Sequence, residues 1–258
     1  MSTTGTATVL AHTGRAEWSR IWSVRSSWVF ALVTSVAVVG IGTIIGADSA
    51  ADPSSVPSDA TAWDGGRPTA MFALFGVLAL AVVTSTADHG TGGIVPTLQW
   101  TPRRSVLLAA RTGVIAATTT ALGVLVVAGA STVVWSFLPD LGLPTGEGAA
   151  FLGGLAYVYA AGALLAVGLG LLLRSTAGGL VTVIALVLVL PPLLGNLPYE
   201  WAVDLSAVMP GSNAIFLIVG EGPGDDMTVT SSRGTLAAWA VSALVAGGWR
   251  LLRTDANR

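Results

Sequence analysis

Trp28-Val29-Phe30-Ala31-Leu32-Val33-Thr34-Ser35-Val36-Ala37-Val38-Val39-Gly40-Ile41-Gly42-Thr43-Ile44-Ile45-Gly46-Ala47 is a stretch of twenty residues without a charged side chain. A helix that crosses the ~30 Å hydrocarbon core of a bilayer needs about 20 such residues. The stretch therefore reads as a membrane span. Five more windows of the same kind follow, at residues 68–87, 112–137, 150–173, 177–195 and 234–249. The third carries Val124-Leu125-Val126-Val127, and the Leu/Val-rich centre of the fifth ends at Pro191-Pro192. The sixth has only 16 uncharged residues, so Arg233 and Arg250 must snorkel from its ends. Composition agrees. Of 258 residues, 53% are hydrophobic and 10% charged, where a soluble domain carries about 25% charged residues. Mean hydropathy is +0.75. A soluble globule, a disordered chain and a coiled coil are excluded, and the expected fold is an all-α polytopic membrane protein.

Arginine orients the spans, because basic residues concentrate in cytoplasmic loops. With six spans and both termini cytoplasmic, Arg15, Arg20, Arg25, Arg103, Arg104, Arg111, Arg174, Arg250, Arg253 and Arg258 all fall inside. Only Arg67 and Arg233 fall outside. Residues 205–220 form another uncharged window, but a seventh span would put Arg250, Arg253 and Arg258 on the wrong side. Pro210-Gly211 also breaks that window near its start. The segment 196–233 is therefore expected to be an outer one, with short re-entrant helices between spans five and six. A cleaved signal peptide at Ala47-Asp48-Ser49-Ala50-Ala51 is the weaker rival for span one, whose apolar run exceeds an h-region. The whole chain, 1–258, is expected to be one transmembrane domain.

Absences exclude much chemistry. All twelve basic residues are Arg and none is Lys, and cysteine is absent. No P-loop lysine, Schiff base, thiolate metal site or disulfide can form. The two histidines, His12 and His89, are too far apart for a HExxH zinc site. No nucleic-acid partner, metal or cofactor is expected on this chain. No ionisable residue falls within an expected span core, which argues against a proton-coupled carrier. Polar patches inside spans include Thr84-Ser85-Thr86, Thr118-Thr119-Thr120 and Ser131-Thr132. They read either as interhelical hydrogen-bonding groups or, at Thr84, Ser85 and Thr86, as candidate pathway lining. Gly42–Gly46 and the series Gly162, Ala166, Gly170 have the four-residue spacing of close helix packing.

Two cytoplasmic segments stand out. Residues 14–27 read as an amphipathic interfacial helix, with Trp18, Ile21 and Trp22 on one face and Arg25 snorkelling from it. Its other reading is a Trp/Arg anchor that only orients span one. Residues 88–111 form the longest inner loop: Asp88-His89-Gly90-Thr91-Gly92-Gly93, then Ile94 to Trp100 as a short helix with Pro96 near its start, then Thr101-Pro102-Arg103-Arg104. Its alternatives are a shaped surface for a cytoplasmic partner and a plain positive-inside loop. The Gly-rich turn has no strand before it and no Lys to complete a phosphate cradle. Asp88 and His89 are adjacent, so they project apart on a helix, and no GxSxG serine accompanies them.

These segments carry a family resemblance. Glu17-Trp18-x-Arg20-x-Trp22-Ser23-x-Arg25-Ser26-x-Trp28 precedes span one. The inner loop sets Asp88, Gly92-Gly93, Thr97-Leu98 and Thr101-Pro102-Arg103-Arg104 before Arg111. Leu197-Pro198-x-x-Trp201 and Met209-Pro210 lie between spans five and six. In this order, over nearly the whole chain, they resemble the membrane subunit of an ABC-type exporter in the type-2 ABC permease family. Asp88 stands where Glu is commoner there, and Gly93 where Thr is common.

The resemblance implies a permease subunit, not an enzyme, in a bacterial plasma membrane. It implies a dimer with a second permease chain, identical or not, and two copies of a separate ATPase that bind ATP and Mg. Asp88, His89, Gly92, Thr97, Thr101, Pro102, Arg103 and Arg104 would form the ATPase-coupling element. Trp18, Ile21, Trp22 and Arg25 would mark the interfacial helix beside it. Relatives export hydrophobic drugs, peptides, lipids and polysaccharides. The rival reading is a stand-alone secondary carrier or channel, and an intramembrane enzyme ranks last.

Overall fold

The structure is a computed structural model that describes residues 3–91 and 104–253. It is all-α, with no strand among the described residues. Among the described residues, six helical stretches are long and apolar enough to cross a membrane.

The first helix, α1 (Thr3–Ser23), meets α2 (Arg25–Ala51) at one extended residue, Val24 (φ −96°, ψ 125°). Helix α2 thus starts three residues before the expected start of span one at Trp28. The indole of Trp28 explains it. Its Nε1–H donates to the Trp22 carbonyl at 2.9 Å, satisfying an acceptor that the end of α1 leaves open. Trp22 packs on both Trp18 and Trp28, with ring centroids 5.9 and 4.8 Å apart. The break also resets the helical phase. Arg25 therefore starts α2 and is exposed, instead of lying on an apolar face of the interfacial helix.

A short α3 (Ala62–Gly66) precedes α4 (Thr69–Thr91). A capping box starts α3: the Thr61 amide donates to the Asp64 carboxylate at 3.0 Å, and the Thr61 hydroxyl caps the amide end. The Trp63 indole then donates to the Pro144 carbonyl at 3.0 Å and pins α3 to the next hairpin.

Helix α5 (Arg104–Phe137) has 34 residues, about 50 Å at ~1.5 Å per residue. It begins eight residues before the expected span at 112, so Arg111 lies inside a helix rather than in a loop. Helix α6 (Thr145–Leu173) is the centre of the bundle, packed against α4 and α5. The buried Tyr159 hydroxyl on α6 donates to the Ala70 carbonyl of α4 at 2.8 Å. Arg174 ends α6 in the left-handed region (φ 54°).

The fifth span is α7 (Thr176–Ile184), one π turn (Ala185–Val189) and α8 (Leu190–Gly195). The Leu190 amide reaches back to Ala185, five residues earlier. Pro191 and Pro192 have no N–H to continue the ladder, which frees the carbonyls before them. Helices α9 (Glu200–Ala207) and α10 (Pro210–Val219) follow, bent by 72° against each other. Gly211 of α10 lies close on the freed Val187 carbonyl, and a Cβ there would sit 1.9 Å from it. The Ser206 hydroxyl donates to the Pro191 carbonyl at 2.8 Å. The bent pair thus docks on the π turn.

The last span, α11 (Val229–Arg253), runs parallel to α6: Tyr157 bonds the Arg233 carbonyl near one end, and Arg250 bonds the Leu172 carbonyl near the other. Gly168 and Gly247 let their backbones meet, since a Cβ on Gly247 would fall 2.3 Å from the Gly168 carbonyl. The Gly42–Gly46 pair similarly seats α2 on Ala130, Val134 and Phe137 of α5. Gly162 faces Leu74 and Leu78, and Gly170 faces Ser85 and Thr86. Both four-residue series are helix contacts.

Candidate functional site

Four charged side chains from three helices meet near the end of α4 and the start of α5. On α1, Glu17, Arg20 and Ile21 are three and four residues apart, so they share one face. That face is pressed onto α5: Ile21 is buried, and Glu17 is 4% exposed. From α4 comes Asp88, one turn after Thr84. From α5 comes Arg111, two turns after its start and 0% exposed.

The charges alternate. Arg111 Nε donates to Glu17 Oε2, and Nη2 to Glu17 Oε1, both at 3.3 Å. Its Nη2 also donates to Asp88 Oδ2 at 2.5 Å. Arg20 Nη2 pairs with Glu17 Oε2 at 2.8 Å, and Arg20 Nη1 with the same Asp88 oxygen. Arg20 Nη2 further donates to the Thr84 carbonyl at 3.3 Å. Two guanidiniums and two carboxylates sum to zero, which lets four ions leave water together. An unbalanced charge here would cost several kcal/mol. Arg111 Nη1 and Arg20 Nε are buried and have no hydrogen-bond partner among the described residues.

The geometry has one mechanical consequence. Helices α4 and α5 flank the segment 92–103 in sequence, and the cluster fastens both of them to α1. A displacement of either helix must carry the other, and α1 with them, or break buried ion pairs.

A second set of arginines braces the same end. Arg104 Nη1, at the start of α5, donates to the Leu251 and Leu252 carbonyls at 3.3 and 3.4 Å. Arg250 donates to the Leu172 carbonyl, and Arg174 Nη2 to the Arg250 carbonyl at 3.5 Å. These carbonyls belong to helix ends with no intrahelical donor left, and cations are favoured there.

The sequence-expected residues divide as follows. Asp88 is in the cluster, and Arg104 is in the brace. His89 lies within α4. Gly92, Thr97, Thr101, Pro102 and Arg103 lie outside the described residues. On α1, Ile21 faces inward and Trp22 is half-buried, but Trp18 is 51% exposed. The inward face is therefore the Glu17–Ile21 face, not one centred on Trp18. Thr84, Ser85 and Thr86 are buried, donating to the Leu80 and Val82 carbonyls of their own helix at 2.7–2.9 Å. Thr86 also bonds the Thr176 hydroxyl at 2.7 Å. Of the three hydroxyls, that of Thr86 alone bonds a second helix among the described residues.

Sequence reasoning missed Glu17, Arg20 and Arg111 as a unit. The available signal was the i, i+3 spacing of Glu17 and Arg20 on a helix whose one other charged side chain, Arg15, is exposed. Their meeting with Arg111 depends on how α1 lies against α5, which no local pattern encodes. The expected spans stop at Ala87 and start again at Thr112, and Asp88 and Arg111 sit just beyond those limits, inside helices α4 and α5 that extend past them. Among the described residues, no three of Asp, Glu and His come together as a metal-ligand group. No protein-family model and no curated protein matches the chain.

Proposed function

We propose that this chain is the membrane-spanning permease subunit of an ATP-driven ABC exporter in a bacterial plasma membrane. The observation that carries the reading is the four-charge cluster. It ties an N-terminal interfacial helix to the two helices flanking a loop whose sequence resembles the ATPase-docking element of type-2 permeases. ATP and Mg would be held by a separate ATPase, two copies per pair of permease chains. This chain would supply the docking loop, the spans and no ATPase chemistry.

The residues suit a lever. A push on the loop from the cytoplasmic side reaches α4 and α5 first. Asp88 and Arg111 carry it to Glu17 and Arg20, so α1 moves with them. Helix α5 continues over 34 residues, so displacement at Arg104 reaches the opposite end of the bundle, where α3 rests on Val134 and Ser131. In this reading a substrate such as a hydrophobic drug, peptide or lipid would pass between two permease chains.

Purification of the tagged chain from its native membranes in mild detergent tests this. Mass spectrometry is expected to find a near-stoichiometric second chain that carries a Walker lysine. Repeated recovery of this chain alone from intact membranes would favour a self-sufficient carrier or channel instead.

A further inference from the structure

At the end of the bundle opposite the four-charge cluster, α3, α6, α10 and α11 enclose a cavity of about 380 Å³. Arg67 and Arg233 both line it. They are the two arginines that defy the sidedness pattern of the other ten. A basic residue on the translocated side has to be accounted for, and here both come to one place from distant parts of the chain.

The cavity wall is amphipathic. Arg67 Nη2 bonds Asp64 at 3.0 Å, and its guanidinium lies 5.4 Å from the centre of the Phe151 ring. Asp64 is otherwise taken up by Thr61, and Arg67 Nε is buried with no hydrogen-bond partner among the described residues. The Arg233 guanidinium lies 5.7 Å from the centre of the Tyr157 ring. Arg233 and Glu147 enter no ion pair among the described residues. The remainder of the wall is Trp63, Leu217, Ile218 and Val229, among others. Its volume falls within the ~300–1,000 Å³ range of small-molecule sites. The four charged walls, Asp64, Glu147, Arg67 and Arg233, sum to zero, so a ligand with both signs leaves the site neutral.

We propose that this cavity binds the headgroup of a zwitterionic phospholipid from the bilayer. The phosphate sits between Arg67 and Arg233, the amine faces Glu147, and the acyl chains leave along Leu217, Ile218 and Val229. Planar guanidiniums suit phosphate oxygens, and their places over aromatic rings hold them in register. The site stands on its own residues and does not depend on the transport reading.

The test is saturable binding of dioleoyl phosphatidylethanolamine to the delipidated full-length chain in detergent, read by native mass spectrometry. Diacylglycerol, which lacks the headgroup, is expected not to compete. Glycerophosphoethanolamine and inorganic phosphate, which lack the chains, are expected to compete only weakly. Arg233→Gln is expected to weaken binding about tenfold, the scale of one charge-assisted contact. Glu147→Gln is expected to remove the preference for phosphatidylethanolamine over phosphatidylglycerol. That preference is a ratio within one variant, so it decides even if Arg233→Gln lowers thermal stability. Equal competition by diacylglycerol would overturn the proposal by showing a greasy groove. Competition by inorganic phosphate as strong as by the lipid would overturn it in favour of a soluble phosphate ligand. Unchanged binding by Arg233→Gln with an unchanged preference in Glu147→Gln would overturn it outright.

Discussion

Arg111 is the residue on which most depends. It is fully buried and bonds two carboxylates from two other helices. Arg111→Met would leave Glu17 and Asp88 sharing Arg20 alone, a buried net negative charge. Breaking a buried pair on one side costs about 3–5 kcal/mol, whereas replacing both partners by apolar groups is often close to neutral. Arg111→Met is therefore expected to lower the thermal midpoint in detergent strongly. Adding Glu17→Leu to it should restore part of the loss, and a double variant worse than the single one would refute charge balance as the reason. At the opposite end, burial pushes the Asp64 carboxyl up, but the Thr61 amide, the Thr61 hydroxyl and the Arg67 guanidinium outweigh it and hold it below the usual carboxylate range. A carboxyl depressed by folding stabilises above its unfolded value of about 3.9, and that contribution disappears as pH falls through the folded one. The capping of α3 should thus persist through mild acid and fail only below about pH 4. Asp64→Asn should flatten that acid limb of a stability-versus-pH curve.

Among the helices, contact is set by glycines that allow backbones to touch. Gly168→Ala would put a methyl 2.4 Å from the Ala243 carbonyl carbon, and Gly247→Ala one 2.3 Å from the Gly168 oxygen. Each is expected to cost about 1–3 kcal/mol by overpacking. Gly40→Ala and Gly129→Ala meet nothing within 4 Å and should be neutral or slightly stabilising, since alanine is the better helix former. Thermal melts of the four variants would show whether α6 and α11 meet as described; equal effects would contradict it. The six spans were legible because an apolar run of this length admits few other structures. Their ends were not. An uncharged window stops at the first charged residue, but α5 continues through Arg111 because Glu17 and Asp88 neutralise it. Likewise α1 stops at Ser23 rather than Ser27 because one indole closes the break. The π turn before Pro191 follows from prolines visible in the sequence, but its docking on Gly211 needed the bend between α9 and α10. The charge cluster and the paired outer arginines depend on helices far apart in sequence, so composition and spacing could name their members only singly.

The whole molecule has two unlike ends. One carries the charge cluster, the arginine brace, the end of α4 and the start of α5; the other carries α3, the bent pair and the amphipathic cavity. The proposed function assigns the first end to the cytoplasm and to an ATPase. Arg104 braces α11, so Arg103→Glu is the cleaner probe of docking; it is expected to reduce ATPase recovery while membrane insertion stays normal. Because the chain has no cysteine, single-cysteine variants report one position each. Ser58→Cys is expected to react with a membrane-impermeant maleimide from outside intact cells, and Thr97→Cys only after the membrane is opened. The most direct measurement is a cross-link from Thr97→Cys in native membranes with a short cysteine-to-amine reagent, followed by mass spectrometry of the adduct. The account requires an adduct with a chain bearing a Walker lysine, lost when the loop is displaced by Arg103→Glu. Labelling of Thr97→Cys from outside the cell, or an adduct series lacking any ATPase, would contradict it.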